Sequence, residues 1–293
     1  GSGWDVAGVT DATQNHTLIR KPGVTVGNGG NWDNSAGTNE DNSEWIVLNN
    51  NNWAFLGGHI EANDLDADGV LYVPSEYATI QEAINAAWFG QTVQVAAGTY
   101  VENINFNGKN ISVIGADQAT TIIDGDSSKA VVMFRNGETR SALLQNFTIT
   151  NGNASNSSVS YGDGGGGIHI RYSSPTLKDL IVTNNDASDY GGGVAIYGNG
   201  NSNPLLDNIT ISENSASRGG GLSVFNDANA VIQNTIISNN TTTSKGGGVY
   251  IDNQSSPAFD NVQISSNTAS GWGGGVWMYD DCNPTFENVQ ITD

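Results

Sequence analysis

The feature that most constrains the fold of this chain is a line of sequence written five times over. Three glycines followed by an aliphatic residue occur at 165–168, 191–194, 219–222, 246–249 and 273–276, returning the aliphatic residue at Ile168, Val194, Leu222, Val249 and Val276. The steps are 26, 28, 27 and 27 residues. A period in this range with little helical patterning predicts a solenoid, in which each coil buries its apolar face only against its neighbours.

Two strands per coil follow from alternation. Ile168 and Ile170, Val194 and Ile196, Leu222 and Val224, Val249 and Ile251, Val276 and Met278 point one way, and the residues between them the other. Period-two alternation predicts one buried and one solvent face. Leu180 and Val182, Ile209 and Ile211, Val262 and Ile264, Val289 and Ile291 repeat the pattern in a second strand. Asparagines recur in two columns, Asn208, Asn234, Asn261, Asn288 and Asn185, Asn214, Asn240, Asn267. An amide both donates and accepts, so stacked asparagines are expected to bond from coil to coil.

Residues 72–115, YVPSEYATIQEAINAAWFGQTVQVAAGTYVENINFNGKNISVIG, contain the one convincing helical pattern, about Ile80 to Trp88, which predicts a cap over the open end of the coil stack. The ATIQ-AI-AA helix leading into V-V-GTY-E-I resembles the N-terminal lead-in of pectate lyase and pectin methylesterase type right-handed parallel β-helices. The resemblance implies an all-β, right-handed parallel β-helix and transfers no chemistry. Over about 146–293, the glycine triplets with I-x-x-N, as in Ile211-Ser-Glu-Asn214, resemble the GGA(I/L/V) and FxxN repeats of chlamydial polymorphic outer-membrane proteins and related adhesin passengers. Here glycine replaces the alanine and an aliphatic residue the phenylalanine.

Residues 1–60 carry Trp4, Trp32, Trp45 and Trp53 between turn-rich stretches and predict a small β-region with an aromatic core. GWDVAGVTDATQNHTLIRK, NWDNSAG, EWIVL and LGGH resemble the C-terminal half of a bacterial lamin-tail-type domain, which implies a partial β-sandwich from a secreted, multi-domain surface protein. Residues 61–72 form an acidic junction. Asp64, Asp66 and Asp68 before Gly69 match the start of a calcium loop, in which alternating carboxylates converge on one cation. The twelfth position is Ser75, with Glu76 one place late, and a solvated acidic linker is the other reading. The β-helix is expected over 73–293, its regular repeats over 165–293. The abrupt start at Gly1-Ser2-Gly3 and the stop inside a repeat read as a piece of a longer protein.

Thirty acidic against ten basic side chains give a formal net charge of −20. That excludes nucleic acid as the main partner, because phosphate binding needs a basic face. No apolar run is long enough for direct membrane insertion. Cys282 stands alone, so no disulfide forms within the chain.

Two outward columns follow from the first strand: His169, Ala195, Ser223, Tyr250, Trp277 and Arg171, Tyr197, Phe225, Asp252, Tyr279. Tyr197, Phe225, Tyr250, Trp277 and Tyr279 would then form an aromatic face for sugar rings, a polysaccharide or surface glycan being the expected ligand; cross-strand stacking or cover by a neighbouring domain of the same longer chain are the alternatives. A lyase reading gathers Arg218, Lys245 and Arg171 as candidate bases with Asp227 and Asp252 as ligands for Ca2+. The regularity of the repeats and the few basic residues favour a non-catalytic adhesin or passenger stalk on a secreted, cell-surface protein. A calcium-assisted polysaccharide lyase is the first alternative and a rigid spacer the second.

Overall fold

The computed structural model describes residues 4–20, 31–38, 43–48, 69–154, 164–200 and 202–292. Asp64, Asp66 and Asp68, and with them the expected calcium loop, lie outside the described residues, as does Trp53. Two compact units result, Gly1–Leu71 with Trp88–Gln91 and Tyr72–Ala87 with Thr92–Asp293.

In the first unit Thr17–Arg20 pairs antiparallel with Trp45–Leu48, beside short helices at Ala12–Asn15 and Trp32–Ala36. Its buried centre is Val6, Ala12 and Ala36, against which Trp32 and Trp45 pack half-buried. Trp4 meets Trp32 edge-on at 6.0 Å and remains exposed. Trp4, Trp32 and Trp45 therefore flank the core rather than fill it.

The second unit is a parallel β-helix. Among the described residues its strands form three sheets of 14, seven and five strands, and every pairing between coils is parallel. The seven-stranded sheet holds the expected first strands, Ile168–Arg171, Val194–Tyr197, Leu222–Phe225, Val249–Asp252 and Val276–Met278, in the register that the repeat predicts. Its inward aliphatics from Ile168 to Ile251 are fully buried. The expected second strand is the far half of a longer one. Thr176–Thr183 and Leu205–Ser212 run unbroken through a left-handed residue, Asp179 (φ 51°) or Asn208 (φ 56°), and their near halves add Leu177 and Leu206 to the core.

Both asparagine columns bond between coils. Asn185 Nδ2 donates to Asn214 Oδ1, Asn214 to Asn240 and Asn240 to Asn267, each at 3.0 Å. Each Oδ1 also accepts the backbone N–H of the preceding asparagine. In the other column Asn261 Nδ2 donates to Asn234 Oδ1 at 2.9 Å, while Asn208 and Asn234 donate to Asp179 and Asp207. The glycine triplets run against the buried ladder. A methyl group on Gly192 would collide with the carbonyl oxygens of Ser215 and Gly220, so a side chain there is excluded by contact rather than by backbone angle.

The helix spans Ile80–Ala86, two residues shorter than expected, and buries Ile80, Ala83 and Ile84. Thr79 and Glu82 form a reciprocal capping box, and Glu102 accepts the N–H groups of Ile80 and Gln81. Lys109 Nζ donates to the carbonyls of Ile84, Asn85 and Ala87 at the other end. Among the described residues no helix is long and apolar enough to cross a membrane.

Candidate functional site

The strand register stacks the outward side chains into the two columns read from sequence. His169, Ala195, Ser223, Tyr250 and Trp277 align in one, and Arg171, Tyr197, Phe225 and Asp252 in the next. Tyr279, whose N–H donates to Ile251 O, follows the last of these strands.

The expected solvent face is a different matter. His169, Ala195, Ser223 and Tyr250 are buried, Tyr250 to 3% exposure, and Phe225 keeps only 8%. The first glycine of each triplet has a positive φ, 57° at Gly191 and 63° at Gly219, and turns the incoming chain back over the outer side of the strand. Gly164 O lies 2.8 Å from His169 Nδ1, and Ser223 Oγ donates to Arg218 O at 2.9 Å. The residues before the triplets thus make a covering column of their own: Gly164, Tyr190, Arg218, Lys245, Trp272. Tyr190, which sequence reasoning passed over, stacks on Phe225 at 4.3 Å and tilts against Tyr250 at 5.7 Å. Its position before Gly191, matching Arg218 and Lys245, was the available signal.

The aromatics form one continuous series. Tyr197 meets Phe225 edge-on at 5.1 Å, Tyr250 stacks on Trp277 at 5.0 Å, and Trp277 on Tyr279 at 5.7 Å. Cations lie on the rings: Arg171 over Tyr172 and Tyr197, Arg218 over Tyr190, and Lys245 over Trp277 at 4.2 Å and Trp272 at 5.3 Å.

Of the lyase set, Arg218 Nη1 pairs with Asp189 Oδ1 at 2.5 Å. Burial works against its charge, but Tyr190, Asp189 and Tyr250 more than offset that, and its pKa stands above the ordinary value. A general base needs the opposite shift. Asp227 sits on a left-handed turn (φ 57°) and reaches toward Gly200. Asp252 accepts the Tyr250 hydroxyl at Oδ2 (2.5 Å) and the Asn253 N–H at Oδ1 (2.8 Å). Burial first, then this bond and the Asp252 charge, push the Tyr250 phenol well above the usual range. Among the described residues no group of three or more His, Cys, Asp or Glu side chains is placed to hold a metal ion.

What these residues do enclose is an open cavity of about 450 Å³. Its aromatic wall is Tyr190, Tyr197, Phe225 and Tyr279. The polar wall is Asn226, Asn253, Asp252 and Asp280. Asn226 and Asn253 belong to a third asparagine ladder, Asn253 Nδ2 donating to Asn226 Oδ1 at 3.0 Å, on a turn where both residues have positive φ. The site therefore unites Tyr197, Phe225 and Tyr279 of the expected glycan face with Asp252 of the lyase set. Tyr250 lies behind it, and Trp277, Arg218 and Lys245 form no part of its wall.

Comparison with known proteins places these coils in context. The family described as the right handed beta helix region matches residues 120–293. Among solved structures, pectin methylesterase from carrot is similar with a TM-score of 0.47 and 16% identity, over 76% of this chain and 82% of that one. No curated protein matches the chain.

Proposed function

The chain belongs to the right-handed β-helix family, and from that premise we propose that it is a non-catalytic, glycan-binding stalk of an extracellular, cell-surface protein. The observation that carries this reading is the cavity of about 450 Å³ lined by four aromatic rings together with two amides and two carboxylates. Sugar rings offer apolar C–H faces to aromatic side chains and hydroxyls to polar ones, so a wall of each kind suits a saccharide. A catalytic reading is less well supported. Arg218 is held charged by Asp189 and Tyr190, and Lys245 rests on two indole rings, so neither cation is presented to the cavity as a free base.

The finer family likenesses fit the same reading. Glycine-triplet repeats in the style of polymorphic outer-membrane adhesins suit a stalk, and a lamin-tail-type module before them suits a multi-domain surface protein. Calcium at Asp64, Asp66 and Asp68 would stiffen the junction between them.

Affinity electrophoresis through gels containing a panel of neutral, amino and acidic polysaccharides tests the proposal. Retardation on at least one polysaccharide is expected, lost on Tyr197→Ala or Tyr279→Ala with the fold intact by circular dichroism. Retardation on none, or retardation that both substitutions leave unchanged, overturns it. Incubation with pectate or alginate plus calcium is expected to give no rise in the ultraviolet absorbance of unsaturated uronate ends; a calcium-dependent rise would restore the lyase.

A further inference from the structure

We propose that the glycan taken by this cavity carries free amino groups, one protonated amine lodging against Asp252 with the sugar against Tyr279. The inference rests on the glycan-binding reading and names the class of sugar.

Asp252 follows Phe225 in the outward column, and both line the cavity together with Tyr279. Phe225 is stacked on Tyr190 and keeps 8% exposure, so the ring open to a sugar is Tyr279, 65% exposed, with the half-buried carboxylate of Asp252 in the same wall. Tyr250 and Asn253 each donate one hydrogen bond to it, one to each oxygen, which leaves a lone pair on both for a ligand. Those two donors also fix the carboxylate, so a ligand meets an acceptor already oriented.

Charge decides the class. Asp280 adds a second carboxylate to the wall, and no lysine or arginine contributes to it. The cations nearby are engaged elsewhere, Arg171 over Tyr172 and Tyr197, Arg218 with Asp189, Lys245 over Trp277. A uronate would bring a third negative charge into a site without a counter-charge, inside a molecule already at −20. An ammonium gains twice, from charge-assisted bonds to the carboxylate and from the exposed ring of Tyr279 in the same wall.

Isothermal titration of the full chain with glucosamine, N-acetylglucosamine and galacturonate oligosaccharides of equal length tests this. The glucosamine oligomer is expected to bind about tenfold more tightly than its acetylated counterpart, the worth of one charge-assisted contact, and the galacturonate oligomer most weakly. Asp252→Asn keeps the shape, its amide oxygen accepting the Asn253 N–H and its NH2 donating to the Tyr250 hydroxyl. It is expected to abolish the preference while leaving binding of the acetylated oligomer within about twofold. Because it removes one acidic group of thirty, it barely alters the overall attraction of the chain for cations. A preference that survives both Asp252→Asn and Asp280→Asn belongs to bulk charge and overturns the proposal. Equal affinity for the free and acetylated oligomers, or tightest binding of galacturonate, overturns it too while the glycan-binding reading stands. Binding of none of the three overturns it, and retention on no polysaccharide at all removes the glycan-binding reading beneath it.

Discussion

Tyr250 and Asp252, two residues apart on one strand, show how burial and a single hydrogen bond set the chemistry of the site. The phenol is buried and its hydroxyl donates to a carboxylate. Ionising it would place a second negative charge beside Asp252 in poorly hydrated surroundings, so its pKa is raised. Burial likewise raises Tyr190. A proton held more tightly when folded than when unfolded stabilises the fold fully below the unfolded phenol pKa of about 10 and progressively less as pH rises beyond it. Alkaline titration of tyrosine absorbance is therefore expected to show fewer than the full nine tyrosines ionising near pH 10, with the remainder released only on unfolding. Tyr250→Phe should shrink the delayed fraction by one. Nine phenols titrating together before unfolding would show that this hydroxyl is not sequestered.

At the scale of elements, the capping helix carries its own pH signature. Burial lowers the Lys109 pKa to about 8, against about 10.4 for a free lysine. Between these values the unfolded chain holds a proton that the folded chain has released, so the stability contributed by this group rises with pH from about 8 to about 10.4. The difference in unfolding free energy between the parent chain and Lys109→Met should climb across that window. A flat difference would mean that the carbonyls of Ile84, Asn85 and Ala87 keep the ammonium fully charged. This helix was legible in the sequence because apolar residues at helical spacing and a stop at Gly90 lie in one short stretch, and the first strands because their inward aliphatics from Ile168 to Ile251 are fully buried. The five-stranded sheet was not. Ser215–Arg218 and Thr241–Lys245 turn only Ala216 and Thr242 inward, and Ala154, Ala187 and Ala216 make a small core cluster, so no apolar alternation marks those strands. Nor could alternation reveal the covering column. Period two reports which residues share a face, and the burial of Tyr250 and Phe225 comes from a chain reversal at Gly191, Gly219 and Gly246 that alternation does not encode. The cavity escaped notice for the same reason, since Tyr190 lies on that returning segment.

Across the β-helix as a whole, strands pair only with those of adjacent coils, and contacts two coils apart, such as Arg140 with Asn203 and Tyr190 with Tyr250, are made by side chains, so a perturbation should spread mainly by nearest-neighbour steps rather than through a shared centre. The buried asparagine ladder makes this testable. Asn214 Oδ1 accepts both the N–H and the Nδ2 of Asn185, while its own Nδ2 donates to Val182 O and Asn240 Oδ1. Asn214→Ala removes that acceptor from the buried Asn185 N–H, while Asn185 Nδ2 keeps the carbonyls of Ile149 and Thr183. At about 1–3 kcal/mol per orphaned group, the expected loss is about 1–3 kcal/mol. Hydrogen exchange should locate the loss. Amides of the coils bearing Asn185, Asn214 and Asn240 should exchange faster, while those of Thr92–Val95 and Ser112–Gly115, several coils away, keep the protection of the parent chain. Uniform acceleration would mean that the β-helix unfolds as one cooperative body. In that event the ladder's worth would be shared by every coil, and the cavity lined by Phe225 and Tyr279 would depend on bonds far along the stack.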